Sequence, residues 1–292
     1  MTLFTGSGVA LVTPFSSGKV DFPALGRLID WQIEQGTDAL IICGTTGEAS
    51  TLNDREHIRT VEFSLERAGG RVPVIAGAGS NDTAHGVEMS LALEELGADG
   101  LLLVTPYYNK CTQKGLVQHY LTIADQISIP AILYSVPGRT GVNISPEAAA
   151  ELSAHPNIVG IKEASGNIAQ VVEMARLVSP DFALYSGNDD MVVPLLSVGG
   201  SGVISVVANV APAQTHQMVE SYLRGDTERS ARLQLAMKPL IDALFCEVNP
   251  IPVKAALSLM GLIEMEYRLP LCPPEESTLA RLKKEMQAFG LL

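Results

Sequence analysis

Residues 131–135 read AILYS and residues 158–162 read IVGIK, and these two short runs decide the fold. Each is almost continuously apolar, which suits a strand covered on both faces and not one with a wet side. Six more runs of this kind recur along the chain: Val9–Thr13, Ala39–Cys43, Pro73–Gly77, Leu101–Thr105, Phe182–Ser186 and Gly202–Val206. Amphipathic stretches such as Phe22–Gln35, Asp54–Ala68, Thr83–Leu96 and Ala169–Leu177 lie between them. Eight strand–helix units in strict alternation predict an α/β chain folded as a closed (β/α)₈ TIM barrel. An open doubly wound sheet is the alternative, but nothing in the order divides the units into two halves.

Past the eighth unit the strand signal stops. Helical periodicity continues, broken at Asn249-Pro250-Ile251-Pro252 and at Leu269-Pro270, where prolines mark helix boundaries. Residues 1–225 are therefore expected to form the barrel, and residues 226–292 a C-terminal helical domain of about three helices.

The 292 residues include 32 Asp+Glu against 20 Lys+Arg, a net charge of −12, and 47% are hydrophobic. That composition provides a large core and excludes disorder. An acidic chain without a Lys/Arg cluster argues against nucleic acid, whose binding needs cations to displace counterions. The four cysteines show no CxxC and read as reduced thiols of a cytoplasmic protein. The five histidines form no metal-ligand spacing, so no metal and no cofactor is expected. The N-terminus lacks a basic region ahead of its apolar stretch, so no signal peptide is expected. The uncharged tract from Met191 to Val219 contains Pro194, Gly199, Gly200, Gly202 and Pro212, which would break a membrane span; it reads as helix, turn, buried strand, turn.

In a parallel barrel, chemistry sits just beyond the strand ends. Lys162 is the sharpest candidate, because an ammonium is costly at the end of a buried strand. Burial lowers its pKa and favours the neutral amine that attacks a carbonyl to form a Schiff base. Gly160 lies on the same face and is expected to leave room for a substrate beneath the amine. Pairing with Glu163 is the plainer alternative, and Lys254 is a rival nucleophile in a more structural setting. Tyr134 places a phenol at a neighbouring strand end, and Arg139 on the following loop offers a fork of donors for a carboxylate. Gly44-Thr45-Thr46-Gly47-Glu48 combines a tight turn with hydroxyls that can bind a carboxylate or relay a proton. Of the adjacent Tyr107 and Tyr108, at most one should serve a given pocket. Gly187 would let a ligand approach the backbone, and Asp189-Asp190 reads as a helix cap more readily than as a metal ligand set. The Gly77-Ala78-Gly79 segment lacks the third glycine of a dinucleotide fingerprint, and no P-loop is present.

Taken together, GTTGE, TPYYN, the YSVPGRTG stretch, GIKEASGN, SGND, GVISV and NPIPVK resemble the dihydrodipicolinate synthase family over nearly the whole chain. The resemblance implies a lyase of the diaminopimelate and lysine biosynthetic pathway, usually a homotetramer, that takes pyruvate and L-aspartate 4-semialdehyde. It implies that Lys162 forms the imine, that Tyr134 moves the proton, and that Thr45 and Tyr108 complete a relay, Tyr108 from a neighbouring subunit. Thr46 and the backbone at Ile204 would hold pyruvate, and Arg139 the semialdehyde carboxylate. N-acetylneuraminate lyases and 2-keto-3-deoxy-sugar acid aldolases resemble the chain in the lysine and first tyrosine. They typically carry Ser-Thr in place of Thr45-Thr46 and lack the arginine. A non-catalytic sensor of pyruvate-like acids would need neither Lys162 nor Tyr134. The chain departs from the family at Ser135 and Gly138, where Asn and Ser are common. Tyr107, Asn81, His57 and Ala49 match positions that bind the feedback inhibitor lysine in regulated members. Asp54 and His85 stand where those members usually carry His and Glu, and the missing carboxylate at position 85 predicts weak or absent lysine inhibition.

Overall fold

The computed structural model describes residues 2–292. Eight parallel strands close into a barrel. In chain order they are β1 (Gly6–Ala10), β2 (Ala39–Ile42), β3 (Val74–Gly77), β4 (Gly100–Val104), β5 (Ala131–Ser135), β6 (Ile158–Glu163), β7 (Ala183–Ser186) and β8 (Gly202–Ser205). Each pairs with its sequence neighbour, and β8 returns to β1 through the register Gly8↔Ile204. Helices follow the strands and coat the outside, among them Phe22–Glu34, Asp54–Ala68, Thr83–Glu95 and Gln113–Ala124. Asp54–Ala68 shows why such stretches start and stop where they do. Asn53 and Glu56 form a reciprocal capping box, and Gly69 ends the helix in the left-handed region at φ 56°.

Two apolar cores result. One lies between barrel and helices and includes Val9, Leu40, Leu101 and Leu133. The other fills the barrel interior with Phe4, Ile41, Ile75, Ile132, Tyr185 and Ile204. The alternation of strand side chains between these layers explains why the runs read as continuously apolar.

The first strand lies three residues earlier than its apolar run implies. The Leu11 N–H still pairs with the Ile41 carbonyl, but the Val12 N–H is taken by Asn209 Oδ1 and Thr13 Oγ1 turns to the Gly47 carbonyl. The ladder gives way there to contacts with two rim loops. At its start Gly8 is required by crowding, since a Cβ would meet Ile41 Cδ1 and the Phe4 ring at 2.8 Å.

Beyond the barrel, helices Thr227–Leu244, Ile251–Leu259 and Glu276–Phe289 pack together and against the barrel. The 191–219 tract contains the short helix Val192–Leu196, strand β8 and the start of helix Pro212–Leu223. Among the described residues no helix is long and apolar enough to cross a membrane.

Candidate active site

Strands β5 and β6 place Tyr134 and Lys162 as register partners. The Lys162 amine sits over the phenol ring, 4.4 Å from its centroid. Lys162 is 4% exposed. Burial pulls its pKa down to about 8; the negative charge of Asp189 acts upward and the positive charge of Arg139 downward. Burial pushes the Tyr134 phenol above its ordinary value, against the opposing effects of Arg139 and of a hydrogen bond with the Thr45 hydroxyl. The arrangement gives a reactive amine under a phenol that stays protonated at neutral pH, ready to donate and take back a proton.

A cavity of about 430 Å³ opens beside this pair, walled by Thr45, Tyr134, Val136, Arg139 and Thr140 on one side. It continues to Ala49, Asp54, His57, His85 and Tyr107. Lys162 is outside that wall and meets it through the Tyr134 ring. Thr46 is buried next to Thr45, with its Oγ1 accepting from Asn249 Nδ2 at 2.9 Å. Arg139 stands on the helical turn Pro137–Thr140 and donates from Nη2 to the Asn249 carbonyl at 3.0 Å. Ile204 is fully buried on β8.

Two glycines serve purposes other than those expected. A Cβ on Gly160 would meet the Ala183 carbonyl at 2.6 Å, so the room beneath Lys162 is filled by β7 and the cavity opens elsewhere. At Gly187 a Cβ would meet Ala164 Cβ at 2.6 Å and Lys162 Cε at 3.2 Å. That glycine makes space for the lysine stem, which is a tighter constraint than ligand access.

The tyrosine pair divides as their positions require. Tyr107 lines the cavity and its carbonyl accepts from Asn81 Nδ2 at 3.1 Å. Tyr108 is 92% exposed, held at φ 71°, and points away from this chain's own cavity. His57 is buried with Nε2 2.8 Å from the Gly77 carbonyl, and burial lowers its pKa. His85 Nε2 lies 3.2 Å from Asp54 Oδ1, and both residues line the cavity.

Three further residues around the site are placed by the structure: two that the sequence singled out, Asp189 and Lys254, and one that it did not, Asn249. Asp189 is buried and accepts at Oδ2 from the N–H groups of Val206 and Val207, at 3.1 and 2.8 Å. It caps the turn after β8 and not its own helix, and its charge faces Lys162. Lys254 is fully buried and pairs with Glu48 Oε1 at 2.5 Å, the structural setting that the sequence suggested for it. Its amine also lies over the Phe15 ring at 4.3 Å. Asn249 is the third. Its only sequence signal is its place in NPIPVK. Among the described residues no group of three or more His, Cys, Asp or Glu side chains is placed to hold a metal ion.

Comparison with known proteins agrees with this geometry. Residues 3–289 match the family described as the dihydrodipicolinate synthetase family. The 4-hydroxy-tetrahydrodipicolinate synthase of Caldicellulosiruptor saccharolyticus is 56% identical, across 100% of this chain and 99% of that one. The crystal structure of dihydrodipicolinate synthase from Thermotoga maritima superimposes with a TM-score of 0.99 at 48% identity, covering 100% of both chains. The chloride-inhibited enzyme of Acinetobacter baumannii, complexed with pyruvate, gives 0.97 at 44% identity over 99% of each chain. With a family match over nearly its full length and relatives above half identity, this chain belongs to the dihydrodipicolinate synthetase family.

Proposed function

We propose that the chain is a 4-hydroxy-tetrahydrodipicolinate synthase, a Schiff-base lyase that condenses pyruvate with L-aspartate 4-semialdehyde. The observation that carries this reading is the buried amine of Lys162 stacked on the Tyr134 ring. The neutral Lys162 amine adds to the pyruvate ketone, and loss of water leaves an imine. Removal of a methyl proton gives the enamine, whose carbon attacks the semialdehyde carbonyl. The amino group of the bound product then adds to the imine carbon, closes the ring and expels the lysine. Each step moves a proton, and Tyr134 with Thr45 is placed to carry it.

Thr46 and the Ile204 backbone receive the pyruvate carboxylate in this reading, and Arg139 receives that of the semialdehyde. Tyr108 completes the relay in a neighbouring subunit of a homotetramer; its exposure and outward direction support that role. The barrel of residues 1–225 carries the chemistry, and the helices of residues 226–292 brace its rim. The pathway is biosynthetic and the setting cytoplasmic, in keeping with cysteines that are all free thiols.

Borohydride trapping tests the reading. One pyruvate per chain, reduced onto Lys162 and located by peptide mass, is the expected result. Turnover with aspartate semialdehyde then separates the synthase from a sugar-acid lyase. An adduct on Lys254, or none, would overturn the assignment; absence of any adduct would favour a sensor.

A further inference from the structure

The two groups that receive carboxylates are fastened from outside the barrel, by one residue between helices Thr227–Leu244 and Ile251–Leu259. Asn249 reaches in two directions. Its side-chain amide donates to the Thr46 hydroxyl across 203 residues of sequence, and its backbone carbonyl accepts from Arg139. Its Oδ1 is buried without a hydrogen-bond partner among the described residues. Leaving a buried acceptor without a partner is destabilising. An amide held only for stability has no reason to carry that cost, so the contact it does make calls for a purpose.

We propose that Asn249 is a positioning residue that fixes the hydrogen-bond direction of Thr46, so that the Thr46 proton is presented to the pyruvate carboxylate. This rests on the function proposed above. An amide NH₂ group can only donate, so it makes the Thr46 oxygen an acceptor and leaves the single hydroxyl proton free. An anionic ligand needs that proton, because a charge-assisted O–H···O⁻ bond is about twice as strong as a neutral one. Without the amide the hydroxyl rotates, and pyruvate binding must supply the ordering. The loop is held at its other end too, where Glu48 pairs with Lys254 on the next helix. The Arg139 contact uses a backbone atom, so it survives any change of the Asn249 side chain.

The test compares half-saturating pyruvate, read by borohydride trapping, with steady-state constants for both substrates. Asn249→Ala should raise half-saturating pyruvate by ~10-fold, the loss of one charge-assisted bond of about 1.4 kcal/mol. It should leave the semialdehyde KM within about twofold, because the carbonyl holding Arg139 is retained. Asn249→Asp, nearly the same shape, should be worse by a further ~10-fold, since a carboxylate accepts the Thr46 proton and faces the ligand with like charge. Thr46→Val should abolish the effect of Asn249→Ala in the double variant. A brace that only supports the fold would move both KM values together, and its effect would multiply with that of Thr46→Val. Either result overturns the proposal, as does a pyruvate response within twofold in both Asn249 variants. Should Asn249→Ala fail to fold, Asn249→Ser carries the same comparison. A native chain that traps no pyruvate sinks the function itself, whereas trapping that ignores Asn249 sinks only this inference.

Discussion

Lys162 and Tyr134 face one another across adjacent parallel strands, with the amine 4.4 Å from the ring centroid. Strand spacing fixes that separation, because neighbouring parallel strands lie about 4.8 Å apart. Neither side chain needs to search for the other. In the function proposed above, rigid strands supply the reacting pair and the loops beyond them the carboxylate receivers.

The pH dependence of imine formation follows from the lysine. Only the neutral amine attacks, so the trapping rate should rise with pH through about 8 and level off above it. Asp189 is the negative group that holds this pKa up, while burial and Arg139 act downward. Asp189→Asn should therefore move the midpoint to lower pH. Trapping rates from pH 6 to 10 decide it: a midpoint near that of free lysine, or one unmoved by Asp189→Asn, contradicts the electrostatic account.

The same amine carries a stability cost. Its folded-state pKa of about 8 lies below the ordinary lysine value of 10.5, so the unfolded chain binds a proton more tightly. The penalty is fully present below pH 8 and is relieved as pH rises from 8 to 10.5. Lys162→Met should then gain roughly 3 kcal/mol at neutral pH while losing all pyruvate trapping. Its Tm should exceed that of the native chain by several degrees at pH 7, and the difference should shrink toward pH 10. An equal or lower Tm at pH 7 would show that the site bears no such cost.

The exposed Tyr108 makes a subunit-mixing experiment decisive. Lys162→Ala and Tyr108→Phe chains should each be strongly impaired alone. Where Tyr108 acts in a neighbour's site, mixed dimeric units contain one complete site. Random 1:1 exchange should restore about a quarter of native activity. No recovery after demonstrated exchange would place Tyr108 outside the relay.

Asp54 offers a test of lysine sensitivity. The Asp54–His85 pair puts a carboxylate on the cavity wall, suited to an ammonium ligand. Lysine should inhibit the native chain, and Asp54→Asn should raise the half-inhibiting concentration at least ~10-fold, as loss of one charged partner requires. A native chain indifferent to lysine would restore the expectation drawn from position 85 alone.

Much of the barrel was legible locally. Strand β5 and helix Asp54–Ala68 fall on the residues that the apolar run and the amphipathic stretch indicate. The first strand did not, because its ladder ends where loop side chains from Asn209 and Thr13 take over the hydrogen bonds, which no local pattern records. Lys162 stood out as a charge in an apolar run, and Tyr134 as a phenol at a strand end. Gly160 and Gly187 were recognisable as special, but their neighbours Ala183 and Ala164 were not, since those contacts exist only after strands pair.

The sequence by itself determined the order of strands and helices and marked Lys162 as an isolated charge in a buried strand. Those features depend on burial periodicity and on the desolvation of a single charge, both readable within a few residues. Tertiary structure alone decided that Asp189 faces Lys162, that Asn249 holds Thr46 and that Lys254 neutralises Glu48. It also set His85 against Asp54. Each of these joins residues far apart in the chain. Hydrogen bonds and charges act over a few ångströms, so their partners are fixed only when the barrel closes and brings the rim loops and C-terminal helices together.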